Sequence, residues 1–299
     1  DLGRPQTRAD RPAPTPPVEV RPRELPATAV EALIRDPYAV YARRVLRLRK
    51  LDPLGRPPDA RDRGILLHRI MERFAETTRA WPPEQATAEA LRAELMSAAD
   101  RVLSADAPWA AERRLWLRRM ERAAGWFAAE EAGRRARGQV PLKVEAEGAR
   151  DLTAPAGPIT LTARADRLDR RADGALAVYD YKTGAPPSQS QVAAFAKQLH
   201  IAAAIAEAGG FEGVDAAPAV DLRYIGLTGA GEGGSAMAVD LGKTSVAGTW
   251  DDLGRLLAAY DLPETPYAAR LRPARVRDGG DYDHLSRFGE WSDGREEGG

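Results

Sequence analysis

Two aspartates and a lysine are the residues in this sequence whose spacing most suggests chemistry. Asp166 stands in ITLTARADRLDR, and Asp180 and Lys182 stand in LAVYDYKTG. In the first run Ile159, Leu161, Ala163 and Ala165 alternate with Thr160, Thr162, Arg164 and Asp166, the period of a strand. Ala175 to Tyr181 reads as a second strand, and Ala172-Asp173-Gly174 as the turn between them. Asp166 and Asp180 are equally distant from Asp173, so an odd-length loop centred there sets them opposite each other. Opposed side chains have Cβ atoms about 4.5–5.5 Å apart, and like charges so placed repel. A chain that brings two carboxylates together needs a cation between them or a proton on one. Lys182 projects from the same face as Asp180, above Val178 and Leu176. That face would carry two acids and an amine: a small divalent-metal site with a positive charge beside it. Asp-x-Lys by itself also suits the solvated face of an edge strand. The spaced Asp166, the apolar residues below and the Thr-Gly after Lys182 favour a site.

Other candidates lie on the elements that would surround this hairpin. In GILLHRIMERFAE, Leu67, Ile70, Met71 and Phe74 form an apolar helix stripe, with His68 and Glu72 four apart on a neighbouring face. A lone histidine there is either a ligand or a structural residue. Val140 to Ala149 reads as a strand with Glu145 and Glu147 on one face, and Val192 to Ala208 as an Ala-rich helix containing Gln198 and His200. Trp109, Trp116 and Trp126 sit among the arginines of a long helix, either as core or as surfaces for stacking bases.

Composition narrows the function classes. The chain has 299 residues, 43% hydrophobic, with zero formal net charge, enough for one large domain or two small ones. No segment approaches the roughly 20 apolar residues of a membrane span, and no secretory signal is visible. A cytoplasmic location without a membrane partner is the expectation. The absence of cysteine excludes disulfides, thiolate zinc sites and cysteine-held clusters. Three histidines with no His-x-x-x-His pair argue against a zinc hydrolase of small substrates. Net charge gives no argument for nucleic acid, but local charge does. Arg43 to Arg63 is basic, and residues 112–137 hold eight Arg against four Glu.

The order of elements follows. Residues 1–25 are Pro/Arg-rich and read as a linker whose open start suggests a piece of something larger. Thr28 could cap a helix ending near Asp36-Pro37, and Tyr38, Val40, Tyr41, Val45 and Leu46 continue at helical spacing. A proline-rich loop, LDPLGRPPDARDR, comes before the histidine helix. Helices are expected from about 83 to 103 and 108 to 137. Further strands are expected at 220–227 and 236–240, and a helix at 246–260. A domain at 26–270 would comprise a helical part, about 28–137, and a sheet core, about 138–260. The tail, 271–299, is charged and Gly-rich and reads as partly disordered. Helix, three strands, helix, strand makes an α/β fold, a mixed sheet flanked by helices after an α-helical N-terminal region.

His68 in GILLHRIMERF, Asp166 in ARADRLD, Asp180 and Lys182 in VYDYKTG, and Gln198 in KQLHIA resemble, in that order, the RecB-like branch of the PD-(D/E)XK nucleases. ATAVEALIRDPYAVYARRVLRLRKLDPL and GDYDHLSRFGEWS extend the likeness to the C-terminal nuclease region of AddB-type subunits, in the form found in alphaproteobacteria, over roughly 26–291. The resemblance implies a restriction-endonuclease-like core and a Mg²⁺-dependent DNA nuclease, with Mn²⁺ as a substitute. It implies metal ligands Asp166, Asp180, His68 and the Tyr181 carbonyl, and a Lys182 that orients water or stabilises the transition state. Glu145 is the choice for an additional acid, with Glu147 a rival, and Gln198 would hold the nucleophile or a phosphate oxygen. The implied substrate is one DNA strand from an unwound end, and the implied partner an AddA-type helicase subunit. There is no Gly-Lys-Ser/Thr phosphate loop. Some relatives hold an iron–sulfur cluster through four cysteines, one just before a Pro-aromatic pair. Here that place reads Asp36-Pro37-Tyr38, so no cluster forms and packing must hold the tail. Many relatives carry Gln-x-x-x-Tyr, whereas Ala202 follows Gln198 four later. The alternative is a catalytically silent nuclease-fold module for DNA binding or subunit docking.

Overall fold

The computed structural model describes residues 9–51, 59–107, 109–272 and 279–291. Most of the expected proline-rich loop, the first residues of the expected linker and parts of the tail lie outside the described residues. The helices are α1 (Ala27–Arg35), α2 (Pro37–Val40), α3 (Ala60–Thr78), α4 (Ala88–Asp106), α5 (Ala110–Ala136), α6 (Gln189–Ala194), α7 (Gln198–Glu207) and α8 (Val246–Ala259). A π-helical turn, Tyr41–Val45, continues α2. The strands are β1 (Glu24–Pro26), β2 (Val140–Leu152), β3 (Ile159–Arg170), β4 (Leu176–Lys182), β5 (Ala219–Gly226) and β6 (Ser235–Ala238).

The chain divides into two compact units. The first is Asp1–Leu54, Asp151–Leu161 and Asp251–Gly299, and the second is Gly55–Arg150 and Thr162–Trp250. In the first unit, residues 9–25 are packed rather than free. The Pro14 and Pro12 carbonyls accept from Tyr267 N–H (2.8 Å) and Ala269 N–H (2.9 Å). Buried Arg21 donates to the carbonyls of Pro16, Tyr260, Leu262 and Pro263. The tail also packs: Tyr38, Ala42, Ala269 and Trp291 form one apolar cluster. Asp36 accepts from Arg270 N–H at 2.9 Å, and the Arg270 guanidinium pairs with Asp283 at 2.6 Å. These contacts join the Asp36-Pro37-Tyr38 corner to the tail.

The second unit carries the rest of the sheet. β3 runs antiparallel to β4, β4 parallel to β5, and β5 antiparallel to β6, with β2 beside β3. Gly174, at φ 82°, lets the β3–β4 connection turn within a few residues. The paired residues run from Arg170↔Leu176 to Arg167↔Tyr179. Continued by one step, that register sets Asp166 against Asp180. Ala177, Tyr179 and Tyr181 point into the apolar core made by α3, α4 and α5. By alternation, Val178, Asp180 and Lys182 take the opposite face.

One expected helix is two. The run expected at 192–208 breaks between α6 and α7, at Phe195–Lys197. Lys197 Nζ donates back to the Val192 and Ala193 carbonyls at 2.9 and 2.7 Å, satisfying the end of α6. The break makes Gln198 the first residue of α7.

Behind the hairpin lies a buried ion network. Arg167 of β3 reaches Glu131 of α5 through two bonds of 2.9 Å and Asp169 through bonds of 2.6 and 2.8 Å. Glu131 also accepts from Arg134 and Arg135, each at 2.8 Å, and Arg135 donates to the Thr78 carbonyl of α3 at 3.1 Å. Gln139 bonds both Asp169 and the Tyr179 hydroxyl. Burial alone would raise the Glu131 pKa, but Arg167, Arg134 and Arg135 hold it well below the usual carboxylate range. Its folded pKa thus lies below its unfolded one. The resulting stability is present at neutral pH and disappears as pH falls through the acidic range. Glu131→Gln is expected to cost about 3–5 kcal/mol at pH 7, as breaking a buried pair does. Denaturant unfolding at pH 7 and near pH 3 checks this: the difference from wild type should shrink at the lower pH.

Candidate metal centre

Three elements of the second unit deliver the site. α3 carries His68, β2 carries Glu145 and the end of β3 carries Asp166. Asp59 caps α3, accepting from Arg61 and Asp62 N–H, and the buried stripe of Leu67, Ile70, Met71 and Phe74 fixes the helix's rotation. His68 then stands beside that stripe, half exposed, with Nδ1 3.2 Å from Glu145 Oε1 and 3.3 Å from Asp166 Oδ1. One ligand atom from each of the three lies within 4.8 Å of the others. Burial would lower the His68 pKa, but the Asp166 and Glu145 carboxylates override it and push it up to about 10.

Glu145 reaches this place through a break in strand geometry. Its φ is 48°, left-handed for a residue with a side chain. Such backbone costs on the order of 1–3 kcal/mol and is retained where the surroundings impose it. The two glutamates expected on one face therefore differ. The Glu145 side chain is 7% exposed and its Oε2 lies 2.6 Å from Arg164 Nε, while Glu147 is exposed.

The hairpin supplies the remainder. Asp166 Oδ2 accepts from Tyr181 N–H at 2.6 Å. The Tyr181 ring is buried against Phe127. Asp180 is 2% exposed, and its Oδ1 has no hydrogen-bond partner. Its Oδ2 lies 2.6 Å from Lys182 Nζ, close enough to pair but without the angles of a hydrogen bond. Burial and then the Asp166 charge raise the Asp180 pKa to about 6, against the lowering effect of Lys182.

The donor set fits a hard divalent cation. It offers carboxylate oxygens and one imidazole, and a buried acceptor oxygen has no donor.

A profile of the PD-(D/E)XK nuclease superfamily matches residues 24–272. The chain belongs to the PD-(D/E)XK nuclease superfamily. Its mixed sheet and flanking helices have that fold. Similar proteins include uncharacterized proteins of Rickettsia bellii (strain RML369-C), 24% identical over 171 residues, and of Rickettsia typhi (strain ATCC VR-144 / Wilmington), 24% identical over 173 residues. Each match covers 57% of this chain and 20% of the relative. None of the described helices is long and apolar enough to cross a membrane.

Of the residues expected at the candidate site, His68, Glu145 and Asp166 converge. Asp180 and Lys182 pair beside them, and the Tyr181 backbone touches Asp166. The Gln198 side chain, half buried at the start of α7, makes no hydrogen bond to another described residue. Asp166 and Asp180 stand opposite each other, with Asp166 toward His68 and Tyr181 N–H, and Asp180 toward Lys182. Arg164 was missed as a partner of Glu145, although it shares a strand face with Asp166 two residues on.

Asp180 gives a stability test with a definite sign. Its folded pKa exceeds its unfolded one, so metal-free stability falls as pH rises from about 4 to 6 and stays lower above that. Asp180→Asn should therefore be more stable than wild type at pH 8 in EDTA, by about 1–3 kcal/mol. Thermal unfolding checks this: Mn²⁺ should raise the wild-type Tm and leave the variant's nearly unchanged.

Proposed function

We propose that this chain is a Mg²⁺-dependent DNA nuclease domain of an AddB-type subunit, cutting one strand of an unwound end beside an AddA-type helicase. The observation that carries the nuclease reading is the meeting of His68, Glu145 and Asp166 within 4.8 Å, next to the Asp180–Lys182 pair, in a superfamily of nucleases. The AddB-type assignment and its partner rest on the sequence likeness, and the match to relatives five times as long as the shared segment is compatible with one part of a larger protein.

His68, Glu145, Asp166, Asp180 and the Tyr181 carbonyl would hold the cation. Bound Mg²⁺ or Mn²⁺ supplies charge neutralisation at the phosphate and lowers the pKa of attached water. The rest falls to the side chains. Asp180 fixes the Lys182 ammonium at 2.6 Å, while that side chain stays 36% exposed and open to a substrate. There Lys182 orients the attacking water or stabilises charge growing on the phosphorus oxygens. Arg164 holds Glu145 in its buried place by an ion pair and leaves the other oxygen toward His68. Gln198, at the first turn of α7, would hold the nucleophile or a phosphate oxygen.

Asp180→Ala and Lys182→Ala should each lower Mg²⁺-dependent cleavage of single-stranded DNA by at least about 10²-fold, with the fold retained. Gel assays of purified protein, with circular dichroism as the folding control, check this. Cleavage by Asp180→Ala at the wild-type rate would refute the assignment.

A further inference from the structure

The face that carries Asp180 and Lys182 continues onto β5. In the parallel β4–β5 register Asp180 pairs with Tyr224, and Lys182 with Gly226. Ile225 and Leu227 enter the helical core with Tyr181. By alternation Tyr224 and Gly226 take the face of Asp180 and Lys182. Gly226 has no side chain there, and the chain after Lys182 folds back into that space. A Cβ on Gly226 would come within 2.7 Å of Pro186 Cδ and 2.8 Å of the Gly184 carbonyl oxygen. Lys182 is thus bordered on β5 by the returning chain over Gly226 and, diagonally, by Tyr224.

The Tyr224 ring is buried, and its centroid lies 5.8 Å from Lys182 Nζ, inside the reach of about 6 Å for a cation–π contact. Its hydroxyl donates to the Ala196 carbonyl at 3.3 Å. Ala196 lies in the break between α6 and α7, two residues before Gln198. One side chain therefore touches both the lysine of the hairpin and the break that starts the glutamine's helix. The two contacts on the ammonium leave it usable. The Asp180 carboxylate at 2.6 Å lacks the angles of a hydrogen bond, and a π face needs no directed N–H. The ammonium's three donors stay available to a substrate oxygen. A lysine stem is flexible, so an ammonium with free donors still needs something to hold it in place. Asp180 is also a proposed cation ligand, and the ring attracts the ammonium independently of that carboxylate.

We propose that Tyr224 is a positioning residue for the cleavage step: its ring seats the Lys182 ammonium, and its hydroxyl ties that seat to the α6–α7 break beside Gln198. The inference rests on the nuclease reading for the step it serves. It gives β5 a part in the site, through a residue that touches neither the cation ligands' oxygens nor the reacting atoms.

The test joins a spectroscopic readout to kinetics on the whole chain. In protein whose lysines carry ¹³C-methyl groups, the Lys182 signal, assigned by its loss in Lys182→Ala, should be displaced upfield by the ring. Tyr224→Leu should abolish that displacement and Tyr224→Phe should keep it. Single-turnover cleavage of single-stranded DNA with Mg²⁺ should slow about tenfold in Tyr224→Leu, while affinity for the strand in EDTA stays within about twofold. Tyr224→Phe should recover most of the lost rate. In a Lys182→Ala background Tyr224→Leu should cost less than about twofold more, because the seat then holds nothing. An equal loss with and without Lys182 would mark a general structural role and overturn the proposal. A wild-type Lys182 signal without ring displacement would overturn it whether or not the variants fold. So would a folded Tyr224→Leu that cleaves at the wild-type rate. Tyr224→Leu without effect beside an inactive Asp180→Ala would sink the seat alone, and an active Asp180→Ala would sink the nuclease reading.

Discussion

Burying carboxylates requires something to neutralise them, and the second unit buries them on both faces of one hairpin. On the helical face Glu131 and Asp169 are enclosed by Arg134, Arg135 and Arg167, and the charged groups are bonded from several sides. On the other face Asp180 keeps an oxygen without a donor, and Asp166 and Glu145 share one imidazole. The same two strands thus carry a satisfied charge network and an unsatisfied one. A satisfied network makes structure. The other has the donor chemistry of a cation site.

The two networks are coupled by the alternation of β3. Arg167 and Asp166 are consecutive, so the buried guanidinium that anchors the strand to α5 also aims the aspartate at α3 and β2. A one-residue slip would exchange their faces, burying the aspartate among arginines and the guanidinium beside His68. The cost of such a slip fixes the register that sets Asp166 against Asp180. Precision at the site comes from packing behind it, where Tyr179, Tyr181, Phe127 and Phe74 close the core.

Much of this was legible in the sequence. The hairpin register followed from symmetry about Asp173, since period-two alternation and a turn leave few other choices. Helix α3 showed its buried stripe and placed His68 beside it. The choice between Glu145 and Glu147 was not legible, because a left-handed residue inside a strand leaves no sign in the alternation of side-chain types. Nor was the break at Phe195–Lys197 in an otherwise helical, Ala-rich run, where a lysine reaching back to carbonyls ends the first helix. The packing of residues 9–25 was hidden by composition. Proline-rich chain looks like linker, yet its carbonyls are acceptors, and here Tyr267, Ala269 and Arg21 use them.

The acidic groups of the hairpin, with His68, are proposed to form one cation site. A crystal of the protein soaked in Mn²⁺ and measured for anomalous scattering tests it most directly. One strong peak is expected, bounded by Asp166, Asp180 and Glu145, with the His68 nitrogen among its ligands at about 2.0–2.2 Å. An empty cluster, or Mn²⁺ bound only elsewhere on the chain, would contradict it.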